Sequence, residues 1–175
     1  MNTAAPAVGR APALFALPGP LDRLSGGTRY DLRVIAGLQA LGHVVETAVL
    51  PDTFPTPSQA DLAIAGDILR QPRPASAPVI VDGLAYGAMP PALLGSLAGP
   101  IVALVHHPLA LETGVSSSDA ARLRASEIEA LRLADVVVVT SGLTCATLSA
   151  DYGVAPASII VAEPGVDRCA QPGQP

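Results

Sequence analysis

Two histidines stand together in "PIVALVHHPLALETG", at the end of an apolar run. An adjacent pair, His106-His107, offers two groups that titrate near neutral pH and can donate, accept or carry charge. In an alternating strand the two would face opposite ways, so only one would look into a cleft. A structural, hydrogen-bonded strand-end histidine is the plain alternative. Glu112 follows closely in an expected loop, as a polar site residue or a solvated carboxylate. Earlier in the chain, Ser25-Gly26-Gly27-Thr28 places two glycines between an apolar run and an amphipathic one. Glycines ahead of a helix let backbone N–H groups face outward where the helix dipole is positive, which favours phosphate or another anion. A tight turn explains the same pair equally well. The loop is neither G-x-G-x-x-G nor G-x-x-x-x-G-K-[ST], which argues against a dinucleotide oxidoreductase and a P-loop.

Other polar residues that follow apolar runs are Asp82-Gly83, Thr140-Ser141-Gly142, and Glu163, Gly165 and Asp167. Ser141 is not inside G-x-S-x-G, so a hydrolase elbow is not supported. No acidic or cysteine partner of the histidines stands at metal-ligand spacing along the chain, so no metal is expected. Glu127 and Glu129 lie on an expected helix, with solvation the plain reading for at least one.

The elements that must carry these residues follow from periodicity. Strands are expected at 13–17, 43–50, 79–83, 101–107, 135–141 and 158–167. Helices are expected at 28–41, 90–99, 119–134 and 142–153, with Ser118 capping the third. In the first helix Tyr30, Val34, Leu38 and Leu41 form the inner stripe, and Gly42 ends it. Residues 61–69 read as a short helix or part of a strand. The strands are continuous apolar runs alternating with helices. The expected fold class is α/β, a Rossmann-like parallel sheet with helices on both faces and right-handed connections. In such a sheet, ligands bind outside the carboxyl ends of the strands, which is where all of these polar residues collect.

Composition sets outer limits. The chain has 175 residues, 50% of them hydrophobic, which suits one compact domain or half of something larger. Net charge is -5 and aromatic residues are 3%, so a nucleic-acid partner has neither a basic stripe nor stacking platforms to bind. The two cysteines, Cys145 and Cys169, match no metal site or disulfide framework. A reduced, cytoplasmic setting is the default, with peripheral membrane association left open. A signal peptide in residues 1–18 is disfavoured by a short, proline-broken apolar run. Residues 1–11 and 168–175 are expected to be disordered, leaving a domain over 12–167.

Taken in order, four stretches resemble the N-terminal half of a GT-B glycosyltransferase of the retaining family 4 type. They are "GPLDRLSGGTRYDLRVIAGLQALGHVVE", "VIVDGLAYGAMP", "PIVALVHHPLALETG" and "EIEALRLADVVVVTSGLTCATLSADYGVAPASIIVAEPGVD". The resemblance implies transfer of a sugar from a nucleotide-sugar to an acceptor hydroxyl with retained configuration, without metal or other cofactor. It implies that Gly26 and Gly27 lie beside the donor diphosphate and that Ser141 lines the back of the donor cleft. His106 would face the reacting centre. His107, Glu112 and Asp82 would lie toward an acceptor of unknown kind. Gly165 and Asp167 would form the turn into a second domain, with Pro164 where the family has asparagine. That nucleotide-binding second domain is not in the sequence, so it is expected as a separate partner chain or as a missing half. The isolated chain is expected to transfer little or no sugar. A non-catalytic binding module of the same fold is the alternative.

Overall fold

A computed structural model describes residues 12–22 and 25–166. Six strands form one all-parallel sheet: β1 (Ala13–Pro18), β2 (Val45–Leu50), β3 (Val79–Asp82), β4 (Ile101–Val105), β5 (Val136–Val139) and β6 (Ile159–Val161). Their order is β2-β1-β3-β4-β5-β6. The helices are α1 (Gly26–Ala40), α2 (Gln59–Leu69), α3 (Gly83–Tyr86), α4 (Pro91–Leu94), α5 (Ser117–Leu131) and α6 (Gly142–Asp151). The expected α/β class, a parallel sheet between helices, is what forms. None of the helices is long and apolar enough to cross a membrane among the described residues.

The sheet separates two cores, because successive side chains of a buried strand alternate between its faces. Leu14 and Ala16 of β1, with Val79, Val81, Ile101, Ala103, Val137 and Val139, pack under α2 to α6 through Ala65, Leu69, Tyr86, Leu94, Leu131 and Leu148. Phe15 and Leu17 point the other way, to Ile35 of α1, with Val45 and Leu104. From β1 the chain steps one way, to β2; every later step runs the other way across the sheet. Crossovers of a single hand then put α1 alone on one face and the rest on the opposite face.

That reversal opens a switch point between the carboxyl ends of β1 and β3. Neighbouring loops diverge there instead of covering each other. The register pairs Leu14 with Val79 and Ala16 with Val81, so Pro18 and Asp82 end their strands side by side.

Several boundaries differ from the sequence expectation. Ser25 caps α1 by accepting from the Thr28 amide, so Gly26 and Gly27 form the first turn and do not precede it. Leu41 is 76% exposed and the α1 stripe centres on Asp31 and Ile35. Gly42 does end the helix, with φ +84. Residues 61–69 are helical, started two residues earlier by a reciprocal Ser58–Asp61 capping box. The expected helix over 90–99 is the single turn α4, and residues 83–86 form a further turn of helix beyond those expected. Ser116, not Ser118, caps α5, because its hydroxyl accepts from the Asp119 amide. The last strand is three residues long, since the chain leaves the sheet after Val161. Asp167 and the two expected disordered ends lie outside the described residues.

Candidate functional site

The switch point holds a cavity of about 310 Å3, lined from three strand ends and from α1. Pro18 and Gly19 come from β1, Asp82 from β3, His106 and His107 from β4, and Gly27, Thr28 and Asp31 from α1. The histidine pair lies just past β4, so strand alternation does not set its directions. The two side chains nonetheless have different environments. His106 is 23% exposed in its side chain and bound to carboxylates. His107 is exposed, and its Nε2 lies 3.2 Å from the Leu111 carbonyl oxygen.

At the centre of the site is a histidine between two buried acids. His106 Nε2 lies 2.9 Å from Asp31 Oδ1 and 3.3 Å from Asp82 Oδ2. Asp31 is 1% exposed and Asp82 5%. Asp82 also caps α3, its Oδ1 accepting from the Leu84 amide at 2.9 Å. The close approach of β3 to β4 depends on Gly83, where a Cβ would stand 2.9 Å from the Leu104 carbonyl oxygen.

The imidazole is packed on part of its surface, and the residue's backbone is pinned beside it. The Tyr30 ring meets it edge-on, with centroids 5.3 Å apart, while the Tyr30 hydroxyl donates to the Ala162 carbonyl at 2.7 Å. Gly27 lies against the Cδ2–Nε2 edge; a Cβ there would be 3.2 Å from Cδ2. Thr140 and Thr144 donate their hydroxyls to the His106 carbonyl at 3.2 and 3.3 Å. A side chain at Gly27 would press the ring by a few tenths of an ångström, so the glycine favours the close approach of α1 to His106.

Electrostatics follow from that burial. Desolvation pulls the His106 imidazolium down, but the hydrogen bonds and charges of Asp31 and Asp82 outweigh it and raise the group to about 9. Burial raises the Asp31 carboxyl, and the neighbouring Asp82 charge adds to it. His106 opposes both, and the result is about 7. At neutral pH the cluster therefore keeps the His106 imidazole charged between two acids, one of which, Asp31, is held above the usual carboxylate range by burial. Such a histidine is a donor and a positive charge, not a free base. Its Nδ1 has no bond to the described residues. The three donor atoms also lie within 4.8 Å of one another, a spacing that a cation can bridge. Sequence spacing could not show this, because Asp31 is 75 residues from His106.

The remaining residues divide. Glu112 lines the same cavity and is exposed. Its loop is pinned from below by Glu127 of α5, which is 1% exposed, not solvated. Glu127 Oε2 accepts from the Leu109 amide at 2.9 Å, while Oε1 has no partner among the described residues. Burial, slightly opposed by that bond, lifts this carboxyl to about 7. Gly26 and Gly165 line a second cavity of about 530 Å3, with Arg29, Arg33 and Tyr30. Ser141 lines neither cavity; it caps α6, accepting from the Thr144 amide and pairing with the Thr144 hydroxyl. Asp31 escaped the sequence reading. Its signal was an acid on the buried stripe of α1, one turn before Ile35.

No protein-family model matches the chain, and no curated protein matches it.

Proposed function

We propose that this chain is the acceptor-side domain of a retaining glycosyltransferase of GT-B type. The observation that carries the reading is the Asp31–His106–Asp82 cluster, set in a switch-point cavity beside the first turn of α1. The four-stretch resemblance supplies the reaction, and the cavity supplies a place for it. In this reading the donor diphosphate lies at the start of α1. The Gly26 and Gly27 amides have no preceding helical carbonyl to bond there, and Arg29 and Arg33 line the adjoining cavity. His106, kept charged by its two acids, donates a hydrogen bond at the reacting centre. The acceptor lies in the cavity with His107 and Glu112.

Electrostatic stabilisation of the departing diphosphate is the main catalytic term the site can supply. Pre-positioned donors need no rearrangement as charge grows on the leaving oxygen. A second, nucleotide-binding α/β domain completes the cleft and excludes water from the transfer. The free Cys145 suits a reducing, cytoplasmic setting.

The test joins the chain to the nucleotide-binding domain of a family 4 glycosyltransferase and measures sugar release and transfer from a panel of nucleotide-sugars. Loss of about 100-fold or more on His106→Ala, with the fold retained by circular dichroism, supports the reading. Transfer that survives both His106→Ala and Gly27→Val undisturbed refutes the site. Ligand binding with no transfer at all would favour the non-catalytic binding module.

A further inference from the structure

The two cavities differ in the charge they present. The switch-point cavity collects the carboxyls of Asp31, Asp82 and Glu112, with no arginine among its described lining residues. Arg29 and Arg33 line the other cavity, against a single carboxylate, Glu163. Carboxylates accept strongly from hydroxyl groups and repel phosphate or carboxylate. His106, charged by its two acids, adds one donor at Nδ1. It does not reverse the balance, because its charge is already met by two buried carboxyls.

Size narrows the ligand further. A volume of about 310 Å3 stands at the small end of the range of ligand pockets, roughly 300–1,000 Å3. That is room for one six-membered ring bearing hydroxyls. Leu17, Leu84 and Leu109 supply apolar wall for the C–H faces of such a ring.

We propose that the switch-point cavity binds one uncharged polyhydroxyl ring, of hexose or cyclitol size, and discriminates against its phosphorylated or carboxylated analogues. Its role as the acceptor subsite rests on the glycosyltransferase reading; the binding preference itself does not.

The full chain is titrated at neutral pH and matched ionic strength with glucose, myo-inositol, glucose 6-phosphate and glucuronate, followed by amide and imidazole NMR shifts. The neutral rings shift Gly27, Asp31 and His106, and the anionic analogues bind about tenfold more weakly or worse. Glu112→Gln narrows that gap without abolishing ring binding. Equal or tighter binding of the anionic analogues, or no shift from either neutral ring at the highest usable concentration, overturns the proposal. Transfer by the completed protein is scored separately. Transfer to an anionic acceptor keeps the glycosyltransferase reading and overturns the ring preference. Ring binding without any transfer does the reverse.

Discussion

Replacing Asp31 by asparagine should flatten the dependence of stability on pH, and the size of the effect can be worked out from the cluster. His106 is raised from 6.5 to about 9 in the folded chain. Its contribution is therefore fully present below pH 6.5 and is lost as pH rises through about 9. Asp31 is raised from 3.8 to about 7. The folded state keeps that proton where the unfolded state has released it, so stability falls as pH rises from 3.8 through about 7. The two windows adjoin. Between them the folded chain holds about one proton more than the unfolded chain, which corresponds to roughly 1.4 kcal/mol lost per pH unit. From pH 6 to pH 8 the cluster costs about 3 kcal/mol.

In Asp31→Asn the side-chain amide has no titrating proton to keep, and the substitution removes the largest influence raising His106. The same interval should then cost under about 1 kcal/mol. At about 2–4 °C per kcal/mol for a chain of this size, the native Tm should drop roughly 4–8 °C more than the variant's between the two pH values. Glu127 also titrates in this range, but it is common to both proteins and cancels in the difference. Thermal unfolding across pH, with an NMR titration of the His106 ring, reads both quantities. Parallel stability profiles would refute the reasoning, as would a native His106 titrating at its ordinary value.

The glycine pair offers a matched comparison. A Cβ on Gly27 meets the His106 ring at 3.2 Å, while one on Gly26 meets nothing within 4 Å. Gly27→Ala should shift the His106 titration, with stability little gained or lost. Gly26→Ala should leave the ring alone and stabilise α1 by up to ~1 kcal/mol, read by denaturant melts and ring NMR. Glu127→Gln keeps an acceptor for the Leu109 amide and should fold normally. Glu127→Leu strands that amide and should cost about 1–3 kcal/mol in a urea melt, with faster hydrogen exchange at residues 109–112. Gly83→Ala drives a Cβ to 2.9 Å from the Leu104 carbonyl oxygen and 3.0 Å from the Val105 Cα. Both neighbours are backbone, so it should cost about 1–3 kcal/mol and shift the Asp82 and His106 resonances together.

The strands were legible because burial on both faces leaves nothing but apolar runs, as in "ALFAL" and "DVVVV". Their order across the sheet was not, since no local feature records which way a chain steps. Helix starts depended on which of several competent residues caps. Three serines crowd the start of α5, and the choice of Ser116 follows from Asp119 standing three residues on, where its amide and carboxylate both meet the Ser116 hydroxyl. The turn at 83–86 was too short to show a period. His106, Gly27 and Asp82 could be singled out from position after an apolar run, but their mutual contact could not. Asp31 was hidden because it sits inside a helix that reads as amphipathic without it. Glu127 was hidden by the same reasoning that makes most helical glutamates surface residues.

Asp31 and Glu127 share a property that bears on why the site exists. Each occupies an inward position where an apolar side chain would be cheaper, and each is protonated more readily than an ordinary carboxyl. Buried ionisable groups are often replaceable by apolar ones with no loss, and sometimes a gain, of stability. Packing alone therefore does not account for them. What distinguishes both is what they touch. Asp31 holds the imidazole that three strand-end loops converge on, and Glu127 holds the loop that carries Glu112 to the same cavity. Local rules of burial are broken at these two points of the molecule, and both fix the same opening at the reversal of the sheet. Departures from local preference that converge on one cavity are what a site of chemical use leaves in a fold. They lead back to His106, whose charge Asp31 helps to hold and whose exposed edge is the part a ligand can reach.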